Sequence, residues 1–230
     1  GHPEHGHTPG VEVTTGPLSS GLASAVGIAI GLKQFAARMQ DPALFDQRVY
    51  VLSSDGCMME GTSHEACAIA GHQKLDNLVV FYDDNAITIE GPTSLAFSED
   101  VGQRFAAYGW HVIRINGQEP VQIEKALKEA LAMAGKPTLI IGKTTIGYGA
   151  PTMQGSHEVH GAPLGDKELA AAKKALGFDP EKRFDVPAEV RSFCAAIVAG
   201  KKQAAAAWNA KLADWSAVHE IGRASCRESV

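Results

Sequence analysis

The sequence predicts an α/β fold: a doubly wound, mainly parallel sheet with helices on both faces. Short, continuous apolar runs such as 49–53 and 78–82 are typical of parallel strands that are covered on both sides. Longer segments with helical character separate these runs along the chain. With 230 residues, 45% of them hydrophobic, the chain is also long enough to bury one large core.

The predicted elements alternate in order along the sequence. A loop rich in Gly and His covers residues 1–16, and a long helix follows over 17–39, with Pro17 in its first turn, where a missing N–H costs little. Strands are predicted at about 48–53, 77–83, 110–115 and 138–143, with helices between them at about 58–73, 99–107 and 120–134. After a long loop, 144–165, helices are predicted at about 166–176 and 187–214. Such alternation, with right-handed crossovers, gives a parallel doubly wound sheet.

Two polar segments follow neighbouring predicted strands at the carboxyl edge of the sheet, where open α/β sheets bind ligands. Asp55 and Gly56 end the first strand, and Asn85 ends the next, thirty residues after Asp55. A carboxylate, an amide oxygen and a backbone carbonyl suit Mg²⁺ or Ca²⁺, which then holds a diphosphate. Alternatively, Asp55 caps a helix starting near Cys57 and Asn85 lies in a turn. The paired spacing favours the cation.

A second candidate for anion binding is the segment Gly16-Pro17-Leu18, where a loop turns into the long first helix. Exposed backbone N–H groups and the positive end of a helix favour an anion or a polar ring there. Gly56 lets the backbone approach a diphosphate closely, because it has no side chain.

Histidines cluster in the two long loops, with His2, His5 and His7 in the first and His157 and His160 in the second. Imidazole can donate or accept a proton near neutral pH, which suits a catalytic or substrate-binding role. A loop histidine is often only solvated, and this alternative stays open for His5 and His7. Histidines within predicted helices or strands are expected to be structural; these are His64, His72 and His111.

The strand-end arrangement resembles the thiamin-diphosphate motif, which opens with Gly-Asp-Gly and closes with an Asn about thirty residues later. The wider sequence resembles the transketolase family in four further stretches, which extend almost to residue 215: 1–4, 10–18, 107–110 and 157–165. Two departures stand out. Ser54 replaces the first Gly of the motif, and Ser19-Ser20 replaces the family's Gly-Gln after Leu18. A Ser at position 54 can be accommodated if its φ is negative.

The resemblance implies a thiamin diphosphate cofactor anchored by Mg²⁺ (or Ca²⁺), with particular residues in each role. Asp55, Asn85 and the backbone carbonyl of Ile87 would ligate the cation. His2 would hydrogen-bond the C1 hydroxyl of the donor sugar, and His160 would lie near both the diphosphate and the substrate oxygens, so both are expected catalytic and substrate-binding residues. The expected cofactor-binding residues are Gly16, Pro17, Leu18, Gly56, Asn85 and His160.

The resemblance also implies a homodimer in which Glu60 belongs to an acidic network between subunits. The alternative is that Glu60 complements the dipole of a helix first turn. The implied reaction is transfer of a two-carbon ketol unit from a ketose phosphate to an aldose phosphate in the pentose phosphate pathway. Residues 1–217 are expected to be a partial N-terminal diphosphate-binding domain with the start of a helical linker, inactive alone. Residues 218–230 resemble a translated sequencing adapter and are expected to be a non-native tail.

Other functions remain open from the sequence: one subunit of a split transketolase, a dihydroxyacetone synthase, or a non-catalytic cofactor-binding module. The formal charge is −5 with acids and bases interspersed, so no nucleic-acid or membrane partner is expected. The four cysteines lack metal-ligand spacing, and reduced thiols in a cytoplasmic protein fit best.

Overall fold

The computed structural model describes residues 3–219 of the chain, and these fall into two compact units. The first unit contains the described residues up to 33 together with residues 47–180. The second contains residues 34–46 and the described residues from 181 onward. The predicted domain division, 1–217 and 218–230, stays a prediction, because nearly all of the predicted tail lies outside the described residues.

The strands of the described chain belong to the first unit. In chain order they are β1 (Val49–Ser54), β2 (Leu78–Asp84), β3 (Ile87–Thr88), β4 (Gly91–Pro92), β5 (His111–Asn116) and β6 (Thr138–Lys143). Four of them form a wholly parallel sheet in the order β1-β2-β6-β5, and each lies within one residue of its predicted bounds. β3 and β4 pair as a separate antiparallel hairpin, which the sequence analysis did not predict.

The helices of the described chain are α1 (Ser20–Met39), α2 (Asp55–Met59), α3 (Gly61–His72), α4 (Val101–Ala107), α5 (Pro120–Ala132), α6 (Gly165–Ala175) and α7 (Ala188–Val218). Together with the parallel sheet they confirm the predicted α/β class. The helices cover both faces because the chain adds its strands first toward one edge of the sheet and then back toward the other, while all four strands stay parallel. The chain moves from β1 through β2 to β5 in one direction and then back to β6, so right-handed crossovers put α3 and α4 on one face and α5 on the other.

The two faces of the sheet have separate cores because alternate strand residues point to opposite sides. On one face, Val80 and Leu139 pack in a cluster with residues of α1, α3 and α4, such as Phe105 of α4. On the other, Val79 and Ile140 pack with Ala126 and Ala130 of α5. This burial from both sides explains the continuous apolar runs of the strands.

The first two predicted helices differ from the structure in ways that shape the corner after β1. α1 begins at Ser20 rather than at Pro17, because Ser19 has a left-handed φ of 63° and interrupts the helical backbone. The predicted helix 58–73 is in fact two helices. The first, α2, starts at Asp55, and the extended backbone of Glu60, with φ −74° and ψ 137°, separates it from α3. Residues 54–61 therefore form a short helix and a corner.

α1 is long and apolar enough to cross a membrane by length and composition alone, with a mean hydropathy of 1.2, a test that core helices also pass. In the first unit its residues Leu22, Val26 and Ala29 are buried in the core. The Ala29 carbonyl accepts a hydrogen bond of 3.0 Å from the side chain of buried Asn77. These contacts are those of a core helix.

The second unit has a small core of its own. Phe45 lies between Phe35 and Trp215, with both pairs of ring centroids 5.2 Å apart in edge-on geometry. Trp208 of α7 donates a hydrogen bond of 2.9 Å from its indole N–H to the Leu44 carbonyl. α7 extends four residues beyond its predicted end at residue 214.

Candidate active site at the carboxyl edge of the sheet

The two polar segments predicted to meet at the sheet edge do meet there. β1 ends at Ser54, which pairs with Asp83 of β2, so Asp55 lies beside the end of β2. The Tyr82 hydroxyl donates to Asp55 Oδ1 at 2.6 Å. The backbone N–H groups of Asn85 and Ala86 donate to Asp55 Oδ2 at 3.3 and 3.1 Å. Asp55 thus contacts Asn85 directly, although the two are thirty residues apart.

Asp55 is only 3% exposed, and its environment is unusual for a carboxylate. Burial raises its pKa above the ordinary value, and the charge of Asp84 raises it further, against the lowering effects of the Tyr82 hydroxyl and the two N–H donors. The pKa of Tyr82 is also raised, chiefly by burial and by Asp55, so its hydroxyl remains a donor. A buried carboxylate of this kind favours a nearby cation.

The oxygen donors present fit a hard divalent cation. A carboxylate offers about four lone-pair sites, and the three hydrogen bonds to Asp55 leave room for a further ligand. The Asn85 Oδ1 atom accepts from the Ile87 N–H at 3.0 Å, and an amide oxygen has a second lone pair. Ala86, which lies between Asn85 and Ile87 in the chain, has a left-handed φ of 62°. Such a strained conformation is commonly found at functional sites.

A cleft of about 640 Å³ opens beside these groups. Its walls include Ser54 and Cys57 from the β1–α2 corner and Asp83 and Asn85 from the end of β2 and the residue after it. The loops after β5 and β6 contribute Gln118 and residues 144–147. A cleft of this size accommodates a small-molecule cofactor. It lies at the carboxyl ends of the strands, as expected for an open α/β sheet.

The segment Gly16-Pro17-Leu18, which was predicted to bind an anion, packs against the corner between β1 and α2. A Cβ added to Gly56 would lie 3.2 Å from Leu18 Cδ1, so Leu18 covers the start of α2. A side chain at position 56 would need Leu18 to shift by a few tenths of an ångström, and Gly56 has no left-handed φ. Ser54 has φ −135° and ψ 175°, an extended backbone, so the expectation that Ser is accommodated there is confirmed.

The two histidine loops are placed less directly at the cleft. His2 lies outside the described residues. His5 uses its ring Nδ1 to contact the Val11 carbonyl at 3.1 Å, which gives it a structural part in the loop. His157 and His160 are exposed and do not line the cleft. Val159, next to His160, packs against the cleft residue Gly147. If Gly147 carried a Cβ atom, that atom would lie only 3.0 Å from Val159 Cγ2.

Two of the histidines that were expected to be structural can be compared with observed contacts. His64 interacts with Arg104 at 2.8 Å and Tyr108 at 3.2 Å, and His111 pairs with Glu129 at 2.8 Å, as expected for structural histidines. The Lys143 ammonium pairs with Asp84 at 3.2 Å.

Glu60 is exposed at the N-cap of α3, and its side chain makes no capping hydrogen bond. One interpretation placed Glu60 in the first turn of a helix, but it lies one position earlier, directly before α3. Its place in a subunit interface stays a prediction.

Sequence reasoning missed three residues of the site. Tyr82 was assigned to an apolar strand, although a phenol at the end of such a strand is a signal for a buried hydrogen bond. Asp83 and Thr144 were not singled out, yet both line the cleft and hydrogen-bond each other. Asp83 is adjacent to the motif residues, so its position was visible; the contact with Thr144 depends on the pairing of β2 with β6.

A parallel sheet with a cleft and oxygen donors at its carboxyl edge places this chain in the class of open α/β domains that bind a ligand at their strand ends. A family model described as "Transketolase, thiamine diphosphate binding domain" matches residues 1–228. The chain belongs to the transketolase family and corresponds to its thiamin diphosphate-binding domain.

Individual relatives agree with this assignment. Transketolase 2 of Xanthobacter flavus is 50% identical over 215 residues, covering 92% of this chain and 31% of the relative. Transketolase 1 of Escherichia coli (strain K12) is 47% identical over 219 residues, covering 94% and 33%. The solved transketolase of Leishmania mexicana superposes with a TM-score of 0.92 at 43% identity, covering 97% of this chain and 34% of that chain. This chain spans about a third of the length of the relatives it matches.

Proposed function

We propose that this chain is the cofactor-anchoring part of a transketolase, a transferase that moves a two-carbon ketol unit from a ketose phosphate to an aldose phosphate. The observation that carries the proposal is the contact of buried Asp55 with Asn85 beside an open cleft. A divalent cation, Mg²⁺ or Ca²⁺, would be held by Asp55, Asn85 and the Ile87 carbonyl, and it would anchor the diphosphate. The pattern of hard oxygen ligands supports both ions.

The cofactor would be held by residues on both sides of the β1–α2 corner, residues 54–61. Its diphosphate would lie near Asn85, Gly56 and His160, while the loop Gly16-Pro17-Leu18 would supply main-chain contacts. When bound, thiamin diphosphate supplies the electron sink for cleavage of the C–C bond beside a ketose carbonyl. The protein's residues orient the substrate, exclude water and carry protons. His2 and His160 would position sugar hydroxyls and transfer protons at their ring nitrogens.

The proposed substrates are ketose phosphates of the pentose phosphate pathway. Solved transketolases of Pichia stipitis are described as complexes with xylulose 5-phosphate, sedoheptulose 7-phosphate and fructose 6-phosphate. Their identity to this chain is 42–43%. The same sugars are therefore the first candidates. A homodimer with Glu60 in its interface and a cytoplasmic location complete the proposal; the free thiols of Cys57, Cys67 and Cys194 are compatible with that compartment.

The test is ketol transfer by the gene product that contains this chain, with fructose 6-phosphate as donor and an aldose phosphate as acceptor. Transfer should require thiamin diphosphate and a divalent cation. Asp55→Asn should lower the rate at least about 100-fold, because a cation ligand loses its charge. Asp166→Asn, a change in the first turn of α6, is the matched control and should leave the rate unchanged. Full transfer by Asp55→Asn would contradict the proposal.

A further inference from the structure

Asp83 is a cleft residue to which the proposed function gives no role. Both of its carboxylate oxygens are engaged in hydrogen bonds. Oδ1 accepts the hydroxyl hydrogen of Thr144, and Oδ2 accepts from the side-chain Nδ2 of Asn85 at 3.4 Å. One side chain thus contacts both a proposed cation ligand and the first residue after β6.

The position of Asp83 follows from strand geometry. Alternate residues of β2 face opposite sides, so Tyr82 points toward Asp55 and the larger core, while Phe81 and Asp83 share the other face and both line the cleft. In the parallel pair, Asp84 lies opposite Lys143. This register places Thr144 beside the end of β2, where its backbone N–H donates to the Asp84 carbonyl at 3.1 Å.

The bond from Asn85 to Asp83 fixes which end of the Asn85 amide faces the cation site. An ionised carboxylate can only accept hydrogen bonds, so it selects the NH₂ end of the amide. The Ile87 N–H, which can only donate, selects Oδ1 at the opposite end at 3.0 Å, so the two bonds hold the amide in the same orientation. A cation requires that oxygen, and a reversed amide would present its NH₂ group instead.

The bond from Thr144 to Asp83 reaches the loop that carries the second histidine cluster. Residues 144–164 run from the end of β6 to the start of α6. Within this loop, the Gly155 N–H donates to the Ile146 carbonyl at 2.8 Å, and Val159 packs against Gly147. The segment preceding His160 is therefore folded back onto the residues that directly follow Thr144.

We propose that Asp83 is a positioning residue that orients the Asn85 amide for the cation and at the same time anchors the loop of His160. It links the two halves of the cofactor site through one carboxylate. The part that concerns the cation rests on the proposed function. The part that concerns the loop stands on hydrogen bonds and packing within this chain.

The first test measures hydrogen–deuterium exchange of residues 144–160 in the chain without cofactor. Thr144→Val keeps the shape of the side chain and removes the hydroxyl, whereas Thr144→Ser keeps the hydroxyl. Exchange should be about fivefold faster in Thr144→Val and in Asp83→Ala, the factor expected from one ordinary hydrogen bond, and unchanged in Thr144→Ser. Equal exchange in Thr144→Val and Thr144→Ser would overturn the anchoring of the loop.

The second test uses the gene product that contains this chain and measures Mn²⁺ binding in the presence of thiamin diphosphate by water-proton relaxation. Asp83→Ala should weaken Mn²⁺ binding at least about tenfold, as is usual for loss of a group that orients a metal ligand. Asp83→Asn should rescue binding, because its oxygen can accept from Asn85 while its NH₂ donates to the Thr144 hydroxyl. Thr144→Val, which leaves the bond to Asn85 intact, should bind within about threefold of the parent chain.

These outcomes separate the inference from the proposed function. If Asp83→Asn loses as much Mn²⁺ affinity as Asp83→Ala, the charge of Asp83 matters and not its geometry, and the proposed positioning role is wrong. If the parent gene product binds no Mn²⁺ with thiamin diphosphate, the proposed function is overturned. The exchange measurement still decides the anchoring of the loop. Melting temperatures of all variants identify any that fail to fold. If Asp83→Ala does, Asp83→Val replaces it, because valine also lacks a hydrogen-bond acceptor and is well tolerated in a strand.

Discussion

At the scale of single residues, Ser19 is the clearest case of a local conflict between sequence and backbone. It is buried and has a left-handed φ of 63°, a region that favours glycine. Ser19→Gly should raise the free energy of unfolding by about 0.5–1 kcal/mol, because the strain of the side chain is removed. Urea unfolding of the two proteins measures the difference.

The neighbouring serine provides the control for this prediction. The Ser20 hydroxyl donates to the Pro17 carbonyl at 2.7 Å and Ser20 has no left-handed φ. Ser20→Gly should therefore lower stability by about 1 kcal/mol, since a hydrogen bond is lost and helix propensity falls. Equal effects of both substitutions would contradict the assignment of strain to Ser19.

Asp76 gives a prediction for the pH dependence of stability. Burial alone would raise its pKa, but the Lys33 ammonium at 2.6 Å, the Gly135 N–H at 2.8 Å and nearby Arg48 outweigh this and lower the pKa below its ordinary value. A lowered pKa in the folded state contributes stability above the unfolded-state pKa, and this contribution is lost as the pH falls through the folded-state pKa.

Asp76→Asn should therefore destabilise the chain by about 1 kcal/mol near pH 7, a figure that allows for screening of the partly exposed Lys33. The difference between the two proteins should begin to shrink as the pH falls below the unfolded-state pKa of about 3.9, and it should vanish only below the lower folded-state pKa, where Asp76 is uncharged in both states. Denaturant unfolding at pH 7 and at a series of acidic pH values measures it. A cost that is independent of pH would show that the charge of Asp76 does not stabilise the fold.

The residues of the site differ in how far the sequence could predict them. Asp55 and Asn85 were predictable as neighbours because each ends a buried parallel strand, and such ends meet at one edge. The bond between Tyr82 and Asp55 was not, because it depends on the side chain reaching across a strand end. The left-handed backbone at Ser19 was not predictable either, since serine itself disfavours it.

At the scale of secondary-structure elements, α3 packs directly against the backbone of Tyr108 through Gly71, and a substitution can test this contact. A Cβ on Gly71 would lie 1.8 Å from the Tyr108 carbonyl oxygen, which is backbone and cannot rotate away. Gly71→Ala should therefore cost at least about 3 kcal/mol or prevent folding. Circular dichroism and urea unfolding report either outcome.

The matched control is in the same helix. A Cβ on Gly61, the first residue of α3, would meet nothing within 4 Å. Gly61→Ala should be neutral or stabilise by up to about 1 kcal/mol, because alanine is the better helix former. Gly71→Ala with a stability within about 1 kcal/mol of the parent would show that the α3–Tyr108 contact is looser than described.

The elements were largely predictable because apolar runs and their period are local properties of the sequence. The break at Glu60 was not predicted, since Met58 to Gly71 reads as one helical pattern and the extended backbone of Glu60 has no local signal. The hairpin of β3 and β4 was missed because each strand has only two residues. Such short strands have no measurable alternation.

At the scale of the whole molecule, the parallel α/β class follows from the alternation of elements, but the strand order β1-β2-β6-β5 does not. The order depends on which crossover passes over a neighbouring strand, and this is decided by packing between distant segments. The same order brings β6 beside β2 and so places Thr144 against Asp83. The link between Asn85, a proposed cation ligand, and the loop of His160 is thus a property of the topology.

The central claim is that Asp55, Asn85 and the Ile87 carbonyl hold the cation that anchors thiamin diphosphate. The most direct measurement is a crystal structure of the gene product that contains this chain, with thiamin diphosphate and Mn²⁺, in which anomalous scattering locates the metal. The account predicts one Mn²⁺ beside these three oxygens, at about 2.0–2.4 Å from each, and no peak there in Asp55→Ala. A metal bound elsewhere, or diphosphate bound without Asp55 as a metal ligand, would contradict it.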